Sequence, residues 1–361
     1  MRMPLSSDES VEASTIWLEN DCRFIPAHQQ PALLIDLARS RGYEEHVQLR
    51  NTGLFYDDII TGKVLISQQQ YIQLIKNTRN LMNSNDLSFQ FGHRLYPGNY
   101  GPLTEALLNA SCLFDAIDML CQFCANASPL LTLFKEIDDD HCHIYFSDSC
   151  GLKDLYPFVL EMMMTAISHT GRWLGIKKQP WHFNFHYRKP VYFEQYQVHL
   201  GDKVNFDTQV DSMVISKSAL FTPWKKGSAT AYAVAKHHVK RSLEHQHALF
   251  VPEVYQYIRQ NLKHAPSLEV VADAFVMSPS TLKRKLKKHH TSFQVLQDDA
   301  RKQQAIYLLQ YRGWTSEQVA ESLNISDINN FRRVFKRWTG IAPALFLRRL
   351  ESGQSMTSNL I

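Results

Sequence analysis

A chain of 361 residues with 44% apolar and 20% charged content has room for two domains, one with a substantial core, and is not disordered throughout. No apolar run reaches the roughly 18 residues of a membrane-spanning helix, the N-terminus lacks the apolar stretch of a secretory signal, and six scattered cysteines fit reduced thiols in a cytoplasmic protein. The net charge of +4 conceals an asymmetry, because residues 251–350 carry 16 Lys+Arg against 8 Asp+Glu, whereas residues 1–250 carry 23 against 26.

Residues 1–30 are polar and weakly patterned, and are expected to form a loose arm with one short strand. Residues 31–42 predict a helix, with Pro31 at its start and Gly42 at its end. A second helix is expected over 67–83, with Leu74, Ile75, Thr78, Leu81 and Met82 as its apolar stripe. After a turn at 100–104, residues 104–124 predict a single helix. Residues 131–137 and 143–147 flank Asp138, Asp139 and Asp140, the pattern of a hairpin with an acidic turn. Residues 156–174 read as a strongly apolar helix, whose Met162, Met163 and Met164 suit a core better than a cofactor surface. Residues 181–187 alternate aromatic and polar side chains with period two, as a half-buried strand does. Residues 191–196 precede a turn at Gly201 and Asp202, and 203–207 and 211–215 are further short strands. Residues 229–245 are alanine-rich and helical.

Several constellations in this stretch have plain readings. Cys121 and Cys124 have redox or metal spacing, but they stand on a predicted helix with no second ligand pair nearby, so buried thiols are the simpler account. His141 and His143 lie beside three aspartates, yet adjacent strand residues point to opposite faces, which disfavours a metal site. His237 and His238, with Lys236, Lys240 and Arg241, form a solvated helix face. No glycine-rich phosphate loop, nucleophile elbow or HExxH pattern occurs, so no catalytic residue, cofactor or metal is expected.

The last hundred residues hold a repeated pattern. Ser267 caps a short amphipathic helix running to Phe275, and Val276, Met277 and Ser278 make a tight turn. Ser278 then caps a helix with Pro279 at its first position. Leu282 and Leu286 form a thin apolar seam, and Lys283, Arg284, Lys285, Lys287 and Lys288 cover the rest. A short helix, a turn and a basic helix together are a helix-turn-helix pattern. Residues 291–311 predict one longer helix with Phe293, Leu296, Ala300, Ala305, Leu308 and Leu309 inward. The pattern then recurs. Thr315 and Gln318 form a capping box, Asn324, Ile325 and Ser326 turn the chain, and residues 327–337 are basic again. Val271, Ala272, Met277 and Ser278 match Val319, Ala320, Ile325 and Ser326 at an offset of 48. Leu282, Arg284, Leu286 and Lys287 match Phe331, Arg333, Phe335 and Lys336 at 49, so the second basic helix is expected to hold one extra residue. Paired caps, seams and cations favour a nucleic-acid surface over a generic solvated one.

Met277-Ser-Pro-Ser-Thr-Leu-Lys-Arg-Lys-Leu286 and Ser326-Asp-Ile-Asn-Asn-Phe-Arg-Arg-Val-Phe-Lys-Arg-Trp-Thr-Gly-Ile-Ala-Pro343 resemble the double helix-turn-helix domain of AraC/XylS-type bacterial transcription regulators. Three positions depart from that pattern: Asn324-Ile325 stands where the family has Gly-Phe, and His290 where it has Gly. More diffusely, Tyr96-Pro-Gly-Asn-Tyr-Gly-Pro-Leu-Thr-Glu-Ala-Leu107, His186-Tyr-Arg-Lys-Pro190 and Tyr196 resemble the arabinose-binding-like sensor region of one branch of that family. The resemblance implies an α+β N-terminal sensor/dimerisation domain followed by an all-α C-terminal domain with two helix-turn-helix subdomains. The expected division is 1–227 for the sensor, 228–250 for a linker helix, 251–350 for the DNA-binding domain and 351–361 for a disordered tail.

It also implies double-stranded promoter DNA as partner, with RNA polymerase, a small-molecule effector and a second copy of the chain as further partners. Each basic helix would lie in a major groove, the two about one turn, ~34 Å, apart. Ser280, Lys283 and Arg284 in the first helix, and Asn329, Arg332 and Arg333 in the second, would reach base edges. Lys285, Lys287, Lys288, Lys336 and Arg337 would meet phosphate. In the sensor, Phe183, Phe185 and Tyr187 are candidates for an apolar pocket, with Arg188 or Lys189 pairing a carboxylate. The alternative leaves the N-terminal part without a ligand, as a dimerisation or protein-contact module.

Overall fold

The computed structural model describes residues 17–177, 179–243 and 248–351. A mixed helix-and-sheet N-terminal part leads into a helical C-terminal part, as expected. Strands β1 (Arg23–Pro26) and β2 (Leu65–Ser67) pair antiparallel. Strands β3 (Leu131–Ile137), β4 (His141–Asp148), β5 (His182–Asn184), β6 (Val204–Asn205) and β7 (Ser212–Ser216) form one sheet in the order β3-β4-β7-β5-β6. Only β5 and β6 run parallel. The acidic hairpin turn forms as predicted, because Asp138 Oδ1 accepts the N–H groups of Asp140 and His141 at 2.9 and 2.7 Å.

Alternation along the strands gives this sheet two unlike faces. Cys142 and Ile144 of β4 join Met213 and Ile215 of β7 in the N-terminal core. His143 and Tyr145 face the C-terminal helices instead, with the His143 ring 4.2 Å from that of Tyr311. Helix Gln68–Met82 opens on a capping box, in which Ser67 Oγ accepts the Gln70 N–H at 3.2 Å and Gln70 Oε1 accepts the Ser67 N–H at 3.0 Å. Of its expected stripe, Leu74, Ile75, Thr78 and Met82 are buried and Leu81 half-buried. Helices Leu87–Leu95 and Tyr156–Ser168 cross so closely that a Cβ at Gly92 would lie 2.4 Å from the Met162 carbonyl oxygen. Met162, Met163 and Met164 all fill this core.

Four expectations are corrected. The helix over 104–124 is two, Pro102–Asn109 and Leu113–Gln122. Between them the ladder gives way to tertiary bonds: the Asn109 carbonyl accepts the Ser228 N–H at 3.0 Å and the Ser111 carbonyl accepts the Trp224 N–H at 2.7 Å. The helix over 156–174 stops at Ser168, and Gly171 and Gly175 take φ of +94° and +78° around a separate turn, Arg172–Leu174. Residues 191–196, which stand among the predicted strands, lead instead into helix Phe193–His199. Its Tyr196 hydroxyl, together with that of Tyr192, donates to the buried Glu161 carboxylate, which also accepts the Ser88 hydroxyl at 2.5 Å. Finally, residues 17–22 are not a loose arm. Leu18 bridges Leu249 through two backbone hydrogen bonds of 2.9 Å, and the Trp17 ring lies 4.8 Å from Phe275. The rest of that arm (1–16), part of the expected linker (244–247) and the expected tail beyond 351 lie outside the described residues.

Helix Ala229–Leu243 packs along Pro102–Asn109 and places Tyr232, Ala235 and Val239 in the N-terminal core. The C-terminal helices build a second core. Its first helix, Phe250–Gln260, is absent from the predicted elements; it accommodates Pro252 in its first turn, where no intrahelical N–H is needed. That helix docks on the sheet through Tyr255, 5.1 Å from the Phe134 ring, and through Arg259, paired with Glu136 at 2.5 Å.

Candidate nucleic-acid interface

Each basic helix is the second of a pair. Helix Leu268–Ala274 precedes Pro279–Lys288, and Ser316–Ser322 precedes Ile328–Thr339. The two turns begin alike. Val276 and Asn324 take φ of +52° and +54°, and the N–H groups of Met277 and Ile325 return to the Ala272 and Ala320 carbonyls at 3.0 and 2.9 Å. Asparagine tolerates this left-handed region, whereas β-branched Val276 is strained in it. His290 also adopts it, with φ of +56°, where the family pattern has glycine.

The caps are out of step by one residue. Ser278 Oγ accepts the Thr281 N–H at 3.2 Å, but in the second copy Asp327 Oδ1, and not Ser326, accepts the Asn330 N–H at 2.8 Å. The extra residue therefore lies in the second turn rather than in its helix, which corrects the expectation above. From the cap onward the helices align at an offset of 49, so Ser280, Lys283, Arg284 and Lys287 correspond to Asn329, Arg332, Arg333 and Lys336. All eight are exposed. Their i, i+3, i+4, i+7 spacing makes one stripe on each helix, opposite the fully buried Leu282 and Leu286 or Phe331 and Phe335. Arg333 donates from Nη2 to Asn330 Oδ1 at 3.0 Å, which pre-sets its guanidinium.

The other cations expected at phosphate are engaged within the chain. Lys285 pairs with Glu19; Lys288 pairs with Glu19 at 3.1 Å and Asp21 at 2.7 Å; and the Asn20 amide donates to the Lys288 carbonyl at 3.2 Å. Burial alone would raise the Glu19 carboxyl, but its contacts to Lys285 and Lys288 outweigh that and hold it below the usual range. Lys288 likewise lowers Asp21, and Asp21 raises the Lys288 ammonium. Arg337 pairs with Asp298 at 2.8 Å, and the same carboxylate accepts the Trp338 indole N–H at 2.9 Å. Glu19 and Asp21 had no signal in the sequence beyond their charge, because the Lys285 partner lies 266 residues away.

The five residues expected to meet a ligand are not gathered together. Phe183 and Phe185, 1% and 0% exposed, sit in the N-terminal core, the latter with its ring 5.0 Å from Tyr196. Arg188 is exposed, and the Lys189 ammonium sits 3.2 Å from the Phe193 ring centroid. Half-buried Tyr187 lines a different space, a cleft of about 500 Å³ between the sheet and the turn after the first basic helix. His186 stands in the same cleft, with Nδ1 2.6 Å from Asp211 Oδ2, a contact that raises its imidazole above the ordinary value. Cys121 and Cys124 lie against the core; burial raises both thiols, that of Cys124 to about 12. Among the described residues no group of three His, Cys, Asp or Glu is placed to hold a metal ion, and no helix is long and apolar enough to cross a membrane.

Comparison with known proteins adds two family matches. Residues 42–224 match the arabinose-binding domain of AraC transcription regulators, N-terminal, and residues 271–349 match a helix-turn-helix domain. HTH-type transcriptional regulators of Mycobacterium bovis and Mycobacterium tuberculosis are each 39% identical over 84 residues, 23% of this chain and 24% of theirs, so the match spans about a quarter of their length. The ornithine utilization regulator of Pseudomonas aeruginosa is 23% identical over 283 residues, covering 77% of this chain and 83% of that one. The solved structure of the transcriptional regulator CdpR from Pseudomonas aeruginosa covers 85% of this chain and 98% of its own at 17% identity, with a TM-score of 0.39.

Proposed function

The chain belongs to the AraC family of helix-turn-helix transcription regulators, and from that premise we propose that its two basic helices read successive major-groove segments of one promoter site. The observation that supports this is the matched pair of exposed stripes on helices that each open on a side-chain cap, Ser278 or Asp327, and bury an apolar pair at the same spacing. Arg284, Arg332 and Arg333 offer two parallel donors suited to guanine O6 and N7, and Asn329 can pair with adenine. Ser280 and Lys283 complete the base-facing set, Lys287 and Lys336 flank it, and Lys285, Lys288 and Arg337 meet phosphate once their carboxylate partners let go. The protein acts by binding rather than by catalysis, in the cytoplasm where its promoter and RNA polymerase are.

We assign 1–227 to sensing and dimerisation, 228–250 to the connection and 251–350 to DNA reading. The effector belongs to the sensor side. A second reading gives the N-terminal part a pure dimerisation role; the exposed face of Ala229–Leu243, where Val234 is 52% exposed beside His237 and His238, favours it. Selection of bound sequences from random DNA, with and without cell extract, tests the central reading. Enrichment of one motif with two parts supports it, and no enrichment under either condition overturns it. Thermal unfolding separates the two sensor readings, since a ligand that binds only the folded state raises the midpoint, whereas a bare dimer responds to protein concentration.

A further inference from the structure

The second basic helix opens on a closed set of side-chain contacts that the first lacks. Asp327 Oδ1 accepts the Asn330 N–H at 2.8 Å, and Asp327 Oδ2 accepts the Ser326 hydroxyl at 3.2 Å. The Ser326 oxygen in turn accepts the Asn330 side-chain N–H at 3.2 Å, which leaves Asn330 Oδ1 to the Arg333 guanidinium, 3.0 Å from Nη2. The direction of the amide follows from its neighbours. A guanidinium can only donate, so the amide oxygen must face Arg333 and the amide nitrogen the hydroxyl. Asn330 is half-buried beside the exposed stripe, and Arg333 stands at the i, i+3 spacing at which helical side chains meet.

This use of Ser326 depends on the residue inserted in the second turn. In the first copy Ser278 is itself the cap: its Oγ accepts the Thr281 N–H at 3.2 Å and lies 2.9 Å from the Thr281 hydroxyl. In the second copy Asp327 has taken over the cap, and the serine before it holds a side chain instead. At the offset of 49, Thr281 and Arg284 stand where Asn330 and Arg333 do. The Thr281 hydroxyl is turned to the cap, and among the described residues the Arg284 side chain makes no hydrogen bond or ion pair. One arginine is held before DNA arrives, and the other is not.

We propose that Asn330 is the positioning residue that aims Arg333 at its base, and that the Ser326 hydroxyl fixes Asn330 for that task. Arginine reads guanine through two parallel donors, a pairing that is selective only when the plane of the guanidinium is set. Engaging one Nη2 hydrogen with Asn330 leaves the other, together with Nη1, for the base. A long side chain ordered only on binding weakens the cognate complex, and here that ordering is complete in the free protein. The inference rests on the reading of Arg333 as a base-reading residue and names the group that orients it.

The test is a double-mutant cycle of the full chain on two duplexes. One is the site recovered by selection; the other has the base pair exchanged at the position where Arg333→Ala loses preference. Asn330→Ala is expected to raise the cognate Kd about fivefold, as for one long side chain that has to be ordered on binding, and to leave the exchanged duplex unchanged. In the Arg333→Ala background the same substitution should change neither Kd. Asn330→Asp keeps an acceptor at Arg333, so it should retain the preference for the cognate pair while its added charge weakens both duplexes alike. The cap uses the Asn330 backbone N–H, so both variants keep it, and an unchanged unfolding midpoint shows that they fold. Equal losses of Asn330→Ala on both duplexes, or a loss that persists in the Arg333→Ala background, would make Asn330 a DNA contact in its own right and overturn the proposal. A preference kept in Asn330→Ala but lost in Arg333→Ala also overturns it, and leaves the reading of Arg333 intact. A preference that Arg333→Ala does not alter removes that reading and this proposal together.

Discussion

Glu19 is the residue whose removal tells most about how the first basic helix is held. It faces Lys285 and Lys288 together, so Glu19→Gln deletes two ion pairs at once while keeping the side chain's shape. The side chains are 25% and 40% exposed for the lysines and 15% for the glutamate, a partly screened setting. Such pairs contribute roughly 0.3–1 kcal/mol each, so losing both removes about 1 kcal/mol from the hold on the two lysines, with Asp21 still on Lys288. If DNA must compete for those lysines, the apparent Kd of the variant falls about fivefold. Fluorescence anisotropy on a selected duplex at low ionic strength measures it directly. The gain should shrink above about 0.15 M salt, where the Debye length is near 8 Å and the clamp itself is screened. The decisive control repeats Glu19→Gln in a Lys285→Met, Lys288→Met background, where nothing is left to release. Tighter binding there would show that Glu19 merely repels the DNA backbone from a distance. An unchanged Kd in the single variant would refute the clamp altogether.

Three further outcomes follow from the structure. Arg333→Ala should cost about 1–3 kcal/mol on the cognate duplex and relax preference at one base position, while Lys336→Ala weakens all sequences alike and lowers the salt slope by about 1; equal losses on every sequence for Arg333→Ala would remove it from base readout. Val276→Asn should stabilise the chain by about 1 kcal/mol in urea unfolding, because it relieves a β-branched residue of a left-handed backbone. Burial pushes the His289 imidazole down to about 4, against the ordinary value near 6.5. The unfolded chain therefore takes up a proton in that interval that the folded chain refuses, so stability falls as pH drops from about 6.5 towards about 4. The charges that face the ring are Glu19, Asp21, Lys285 and Lys288, and the two carboxyls are held below their usual range, so they protonate only towards the acid end of that window. His289→Leu should flatten the profile of unfolding midpoint against pH, and an unaltered slope would assign the effect elsewhere.

Local chemistry made the C-terminal third readable. Ser267, Ser278 and the Thr315–Gln318 pair cap the helices expected of them, since a cap needs only a side chain and an N–H three residues on. The seams of Leu282 with Leu286 and Phe331 with Phe335 follow from period alone. The register slip was placed wrongly for an equally physical reason. Ser326 and Asp327 are both competent caps, and only the geometry shows that the second one is used. In the N-terminal part the break after Asn109 depends on bonds to Trp224 and Ser228, far along the chain, and Phe193–His199 is anchored on the remote Glu161. The alternation of Trp181, Phe183 and Phe185 marked buried residues accurately, but burial is common to a core and to a pocket, so it could not say which. The cleft and the Glu19 contact join segments separated by more than a hundred residues, and no window along the sequence contains either.

The single residue inserted in the second turn has a consequence for the DNA. Two heads that are alike in stripe but unequal in hinge cannot exchange places on a duplex. On the proposed reading, Ser280, Lys283 and Arg284 meet one half of the site and Asn329, Arg332 and Arg333 the other, in a fixed sequence along the strand. A single chain would then give its operator an arrow, and a second copy could add to it head-to-tail without the two-fold symmetry that palindromic sites require. Turning the site end for end leaves every base pair in place and reverses which way the sensor half of the molecule faces along the promoter.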